Sequence, residues 1–586
     1  LPESFALEGT TGYDFLNDVN GLFVRGRGAL PLKRLLARSN GPSLSFADVA
    51  YRAKSLIASS SLASELSVLA QALNRLSEND RRSRDFTLIS LRAALCEIVA
   101  CFPTYRTYLG ASGATGHDAT VIENAVAQAR RRNPAMESSV FDFLRAILLA
   151  HGPEPEPVEG PSPRRLFALK LQQYTGPLQA KGLEDTAFYR YPVLLSLNEL
   201  GGDPQRFGVT PRAFHAANQH RATHWPLGML ATSTHDSKRG EDGRCRIDVL
   251  SEIPTEWGRE VMRWRRQNAG ARSNVEGEPA PDGNDEYFFY QSLLGAWPAR
   301  QLGSSAPSLD LRQRMSVLMQ KAMRESKLHT SWINNNEVYE RACLHFVDTV
   351  LHPDDGQAFL ASFAPFCARV AFLGMLNSLS QLVLKLASPG VADFYQGSEV
   401  WNLALVDPDS RRPVDFSPLS DRLTALEPAL AGRLAEEDRR ALLAELLRAW
   451  PDGRIKLYLT CAGLRARQRH RAAFVQGGYL PLESEGELAD HVVALARTSP
   501  DALAVALTPR LCANLAREDR PPLGATWRNT LVRLPTGESG EGLIDVFTGR
   551  TCPAQSDSRG VGLALADAFL DLPVALLVRS SRATGR

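Results

Sequence analysis

The sequence predicts an α/β protein: an incomplete (β/α)8 TIM barrel with a helical insertion and a C-terminal antiparallel β domain. Three observations predict it. Two short apolar runs, Leu227 to Thr232 and Val391 to Tyr395, each end in a polar turn and stand about 150 helix-rich residues apart, as consecutive βα units with a long insertion would. Leu62, Leu66, Leu69, Leu73 and Leu76 step by four and three residues, and Leu88, Leu91, Leu95 and Ile98 repeat the rhythm before Pro103, which is the stripe of two amphipathic helices packed as a hairpin. From about Ala473, the alternating runs His491 to Arg497, Ala502 to Thr508 and Thr530 to Leu534 are separated by Gly, Pro and Asp turns, with a last strand at Leu572 to Val578.

Taken in order, residues 1–25 hold a glycine and aromatic run, Gly9 to Asn17, too short to be a domain, and are expected to be a barrel remnant. Residues 26–163 form a helical insertion subdomain that closes at a Pro and Glu linker, Gly152 to Pro163. Residues 164–472 are the C-terminal part of the barrel with its own helical insertion. Residues 473–586 are a β-sandwich domain.

A chain of 586 residues exceeds one hydrophobic core. Its apolar content of 44% and charged content of 23% are those of an ordinary soluble protein. A net charge of +2 offers no basis for a nucleic-acid or membrane partner. The most apolar stretch, Val370 to Leu386, is broken by Asn377, Gln381 and Lys385 and reads as a buried helix. The eight cysteines are scattered without paired spacing, which suits reduced thiols and a cytoplasmic location. The eleven histidines show no ligand spacing, so neither a metal nor any other cofactor is expected. Only nine of the 67 basic residues are lysine, yet Lys181 and Lys238 lie in the densest motifs, where a compact ammonium suits better than a planar fork.

The stretch Ser233 to Asp242 places His235 and Asp236 just beyond an apolar run, where a barrel enzyme carries its chemistry. The plain alternative is a helix start, with Asp236 capping backbone amides and residues 238–242 a solvated face. A second dense segment, Tyr174 to Tyr191 followed by Ser196 to Pro204, alternates acid, base, amide and aromatic groups with glycines. A polar loop would explain those glycines but would leave Phe188, Tyr189 and Tyr191 exposed without reason. Aromatic faces beside carboxylates and amides suit a sugar, whose CH faces stack on rings while its hydroxyls pair with polar groups.

Taken together, Lys181-Gly-Leu-Glu-Asp-Thr-Ala-Phe-Tyr-Arg-Tyr191, Asn198 to Pro204, Ser233 to Asp242 and Gln396 to Asp415 resemble the maltooligosyltrehalose synthase family, a branch of the α-amylase superfamily (glycoside hydrolase family 13). Gly9 to Asn17, Arg84 to Thr87, Phe102 to Arg106, Tyr290 to Pro298 and Thr330 to Trp332 support the resemblance, which covers nearly the whole chain. Ser237 and Gly243 depart from it, since Thr and a β-branched residue are more usual there.

The resemblance implies an isomerase of trehalose biosynthesis acting on a linear α-1,4-glucan, whose reducing-end linkage is converted to an α,α-1,1 linkage. It implies a retaining reaction with a nucleophilic Asp, a Glu acid/base about 5 Å away, and a second Asp that stabilises the oxocarbenium-like transition state. Asp236 matches that third role, and His235 would bond a sugar hydroxyl. The segment with Lys181, Glu184, Asp185, Phe188, Tyr189 and Tyr191 is expected to grip the released glucose. Lys238, Arg239, Glu241, Asp242 and Gln396 are expected to line the same mouth.

In the superfamily the other two carboxylates precede the Gly9 to Asp14 segment. Asp14 and Glu184 are acidic, but the resemblance puts them elsewhere. The chain begins at Leu1, so it is expected to be amino-terminally truncated, to lack nucleophile and acid/base, and to be close to inactive by itself. An open-edged partial sheet near Asp236 should follow. A maltooligosyltrehalose trehalohydrolase is the implied functional partner. Alternatives are a hydrolase or transglycosylase of the same superfamily, or a catalytically inactive glucan-binding protein.

Overall fold

The computed structural model describes residues 2–580 apart from 4, 42–44, 111, 112, 151–160, 305, 501 and 518. Most of the expected Pro and Glu linker therefore lies outside the described residues. The chain divides into two units: Leu1–Phe5, Pro42–Tyr191 and Ala322–Asn336 form one, and Ala6–Gly41, Pro192–Lys321 and Glu337–Arg586 the other.

The first unit is helical. Its helices Phe46–Ser59, Ala63–Glu78, Leu88–Ala100, Gly116–Arg132, Ser138–Leu149 and Pro163–Gln179 share one core. Ser45, Thr87 and Ser162 each cap a helix by accepting a backbone N–H three residues on. The predicted stripe is the packing face except at its Leu88 end, which is exposed: Leu66, Leu69, Leu73, Leu91, Leu95 and Ile98 are buried together, with Leu62 and Leu76 against them. The unit runs on to Tyr191, past the expected boundary at 163, because Phe167, Leu171 and Leu178 of helix Pro163–Gln179 complete this core.

That helix continues through a π-helical segment, Ala180–Ala187, into Phe188–Arg190, so the expected loop at 181–191 is helical. Gly182 explains the tight seat, since a Cβ there would stand 2.6 Å from Cγ and 2.9 Å from Cα of Lys54. Lys54 is itself buried and donates to the Phe102 carbonyl at 2.7 Å and to Gln179 at 3.3 Å. Burial pulls its ammonium down to about 8.

In the second unit, Met229–Leu230 and Val391–Ala392 pair in parallel, Met229 with Val391 and Leu230 with Ala392. Among the described residues these two strands make up that sheet. They are shorter than the apolar runs predicted, because the chain leaves the ladder for tight turns at 231–240 and 393–399. Helix Tyr13–Gly21 packs beside the first strand. It starts at Gly12, with φ of 93°, where a Cβ would meet the Met229 carbonyl oxygen at 2.2 Å. Residues 26–41, expected in the helical insertion, belong here instead, since helix Ala29–Asn40 packs on helices Pro254–Gln267 and Gly283–Ala296.

The apolar stretch ends a 31-residue helix, Gln357–Ala387, long and apolar enough by composition to cross a bilayer; 61% of its apolar window is buried inside the protein. It packs on helices Glu241–Asp248 and Arg454–Arg469 and on strand Ala502–Pro509. The C-terminal part has two antiparallel sheets. One runs in the order Ile544–Asp545, Ala575–Ser580, Ala502–Pro509, Val492–Ser499, Gly478–Pro481. The other runs Ala554–Asp557, Gly560–Ala564, Leu531–Arg533, Ser484–Glu485. Inward residues of both, including Val505, Leu507, Val532 and Leu563, share a core with Trp527 and Phe569.

Candidate functional site

Asp236 lies six residues beyond Leu230, in a turn that side chains hold rather than a helix. Thr234 N–H donates to Ser237 Oγ at 2.9 Å, and Asp236 N–H to Thr234 Oγ1 at 3.2 Å. The Tyr13 hydroxyl lies 3.0 Å from Thr234 Oγ1. The helix begins only at Glu241, so Asp236 is not its cap. With side chains 58% and 44% exposed, His235 and Asp236 both face solvent, His235 Nε2 standing 3.1 Å from Asp236 Oδ2. Arg411 donates to Asp236 Oδ1 at 2.7 Å and to the His235 carbonyl at 3.3 Å; Ser410 donates to the same carbonyl at 3.0 Å. Gln396 is exposed and lines a cavity with Trp401 and Ser410.

Beyond Asp236 the chain turns inward. Buried Glu199 collects the Lys238 and Arg239 N–H groups at 2.7 and 3.2 Å and the Arg244 guanidinium at 3.1 Å. Lys238 and Arg239 are buried, and Arg239 donates to the Leu195 carbonyl at 3.1 Å, so neither lines an open mouth as expected. Glu241 and Asp242 are a second correction. Both are buried on Lys456, whose ammonium lies 2.6 Å from Glu241 and 2.7 Å from Asp242, with Lys385 3.8 Å from Glu241. Burial would push Glu241 up, but Lys456 and Lys385 outweigh it and hold its carboxyl down at about 2. Burial keeps Asp242 above the usual aspartate range, and the two carboxylates together raise Lys456 against its own desolvation.

These ions are structural because they join pieces of backbone. Lys385 donates to Thr232 Oγ1 at 2.8 Å and to the Asp393 carbonyl at 2.9 Å, spanning the ends of the parallel pair. Asp242 accepts from Asn402 N–H at 2.5 Å, and Lys456 donates to the Val400 carbonyl at 3.2 Å. The cluster therefore ties the turn that carries Asp236 to segment 393–402.

In the first unit, Lys181 is mostly in solvent and pairs with Asp185 at 2.7 Å. Glu184 is buried and accepts a hydrogen bond from the Tyr105 hydroxyl. Phe188, Tyr189 and Tyr191 are buried, contrary to the exposed aromatic surface expected. Phe188 stacks on Phe46 with centroids 6.1 Å apart, and Tyr191 meets the same ring at 5.2 Å. Core packing thus accounts for Phe188 and Tyr191.

Arg411, Glu199, Lys385 and Lys456 were not anticipated. Arg411 and Glu199 sit inside motifs already singled out. The scarcity of lysine could have pointed to the others, since Lys54, Lys238, Lys385 and Lys456 are all buried, which is rare for this residue type.

No protein-family model matches the chain. It is 32% identical over 582 residues, 99% of its length, to a putative maltooligosyl trehalose synthase of Mycobacterium tuberculosis (strain ATCC 25618 / H37Rv), of which it spans 64%. Among solved structures it is similar to the maltooligosyltrehalose synthase of Arthrobacter ramosus, with a TM-score of 0.76 and 31% identity over 99% of this chain and 64% of that one. It is also similar to a hypothetical maltooligosyl trehalose synthase of Sulfolobus tokodaii, with a TM-score of 0.69 and 27% identity over the same shares. The chain thus spans slightly under two thirds of the length of these relatives.

Proposed function

For a chain homologous to the maltooligosyl trehalose synthases over 99% of its length, we propose that it supplies one catalytic carboxylate and part of the substrate cleft of such an isomerase. The observation that carries the reading is Asp236: an accessible carboxylate just past the carboxyl end of a parallel strand pair, steadied by Arg411 and His235. The pair is read as two neighbouring strands of an incomplete (β/α)8 barrel, which is where such a fold keeps its chemistry.

The substrate is a linear α-1,4-glucan. As the bond to the reducing-end glucose breaks, positive charge spreads over the anomeric carbon and ring oxygen. A carboxylate at Asp236 stabilises that charge by its field and by accepting from sugar hydroxyls. His235 supplies a further polar contact, and Gln396 extends the acceptor side. The freed glucose turns and rejoins through its own anomeric oxygen, giving the α,α-1,1 link. Water must be kept out for this to beat hydrolysis. The nucleophile and acid/base are assigned to no described residue. All eight cysteines are free thiols, which supports a reducing, cytoplasmic setting, and a hydrolase that releases trehalose from the product is the functional partner this reading calls for.

The test is incubation with maltopentaose of protein expressed from the full reading frame that encodes the chain. A non-reducing product is expected, lost by about a thousandfold or more in Asp236→Asn with folding intact. Free glucose as the main product would replace the isomerase with a hydrolase, and full conversion by Asp236→Asn would remove the role given to Asp236.

A further inference from the structure

Beside the Asp236 turn lies a cavity of about 590 Å³, lined by residues that include Arg300, Arg314, Trp401, Asp409, Arg412, Arg422 and Asp452. Its charges do not cancel in place. Arg314 grips Asp409 with two hydrogen bonds of 2.8 Å, and Arg412 is held by Asp310 at 2.7 Å. Asp452 is taken by Arg454 at 2.7 Å. Asp415, also on the wall, accepts the Ser417 N–H at 3.0 Å. Among the described residues, neither Arg300 nor Arg422 forms an ion pair.

The two guanidiniums are nonetheless kept near each other. Turn Ala299–Gln301 packs on Trp450–Asp452, and Arg422 donates to the Asp452 carbonyl at 3.2 Å. Burial first, and Arg300 second, pull Arg422 below its ordinary value, against an opposing pull from the Asp452 carboxylate. Two like charges at one cavity wall cost free energy unless an anion sits between them. The guanidinium fork matches phosphate oxygens. The cavity also presents Trp401, whose indole N–H is fixed on the Trp450 carbonyl at 2.7 Å, and ring surface of this kind takes the CH face of a pyranose.

We propose that this cavity binds a phosphate monoester, its dianion between Arg300 and Arg422 and its sugar against Trp401. The ligand is anionic, unlike the neutral glucan proposed for Asp236, although Gln396 lies on the wall of this same cavity.

Calorimetric titration of the chain with a hexose monophosphate, with inorganic phosphate and with the uncharged hexose tests it. The hexose monophosphate should bind most tightly, inorganic phosphate more weakly, and the hexose not measurably. Arg300→Met and Arg422→Met should each weaken the monophosphate by about tenfold or more, the scale of one charge-assisted contact. Trp401→Ala should remove its advantage over inorganic phosphate. Arg300 is exposed, so its variant tests the site without risk to folding. Absence of monophosphate binding, or unchanged binding in both Met variants, would overturn the proposal, as would equal binding of phosphate and monophosphate for the Trp401 contact. A parallel titration with maltopentaose bears on the glucan reading alone.

Discussion

Replacing Lys456 by Met tests whether the buried ions behind Asp236 are structural. Methionine keeps most of the lysine's length and removes its charge, stranding Glu241 and Asp242, 3% exposed each, with Lys385 at 3.8 Å from Glu241 as the nearest remaining ammonium. Removing one partner of a buried ion pair typically costs about 3–5 kcal/mol. At about 2 °C per kcal/mol for a unit of this size, the thermal midpoint should fall by roughly 6–10 °C. The pH dependence is the sharper signature. Without Lys456, burial lifts Asp242 further above its unfolded value, while Glu241 keeps Lys385 and Thr232 against its own burial. Asp242 then contributes its stability fully only below the unfolded pKa, near pH 4, and loses it as pH rises through the raised folded pKa. The deficit relative to the unmodified chain should therefore be small near pH 4 and largest near pH 8, read by thermal unfolding monitored by circular dichroism. Adding Glu241→Gln and Asp242→Asn should recover at least half of it, since no charge is left stranded. A deficit under about 1 kcal/mol, or one equal at both pH values, would refute the reasoning.

Two further outcomes follow from buried groups and close approaches. Asp248 is fully buried, accepts from Asn20 at 3.3 Å, and is pushed up by burial to about 8 although Ser196 and Arg244 beside it pull the other way. Its folded pKa exceeds the unfolded one, so stability should decline from about pH 4 to pH 8, and Asp248→Asn should flatten that decline and gain about 1 kcal/mol or more at pH 8; superimposable pH curves for the two proteins would count against it. Gly12→Ala forces a methyl to within 2.2 Å of the Met229 carbonyl at a φ of 93°, and chemical denaturation should register a loss of about 2 kcal/mol or more. A near-neutral Gly12→Ala would mean that helix Tyr13–Gly21 can move off the strand.

Elements governed by local periodicity were legible in the sequence. The leucine stripe at 62–76 needs only the next turn to declare its buried face, and the structure uses that face; the runs at 491–497 and 502–508 were legible as strands, but they are buried on both faces because helix Gln357–Ala387 covers the side away from the sandwich core. The parallel pair was legible in place but not in length, because two-residue strands depend on neighbours that no local pattern encodes. Charged motifs misled where burial decides the outcome. Glu241, Asp242, Lys238 and Arg239 read as a solvated mouth because sequence shows their charge but not Lys456 or Glu199, more than 200 and about 40 residues away, which make burial tolerable. Phe188 and Tyr191 misled in the opposite direction, since their partner Phe46 lies on another helix.

Asp236 differs in its surroundings from the charged residues that follow it. In each misjudged case a group assigned to substrate was withdrawn into internal pairing, because a specific partner could be found for it inside the protein. Asp236 was not withdrawn: its partners, Arg411 and His235, are themselves over half exposed. An exposed ion pair of this kind contributes about 0–1 kcal/mol, too little to explain why surrounding residues are arranged so elaborately to fix the turn. Glu199, Lys385 and Lys456 all spend buried charge on holding backbone to either side of it. Such an arrangement around a turn whose own surface pair is nearly neutral for stability is what the role proposed for Asp236 would require, since that role depends on its position and folding does not.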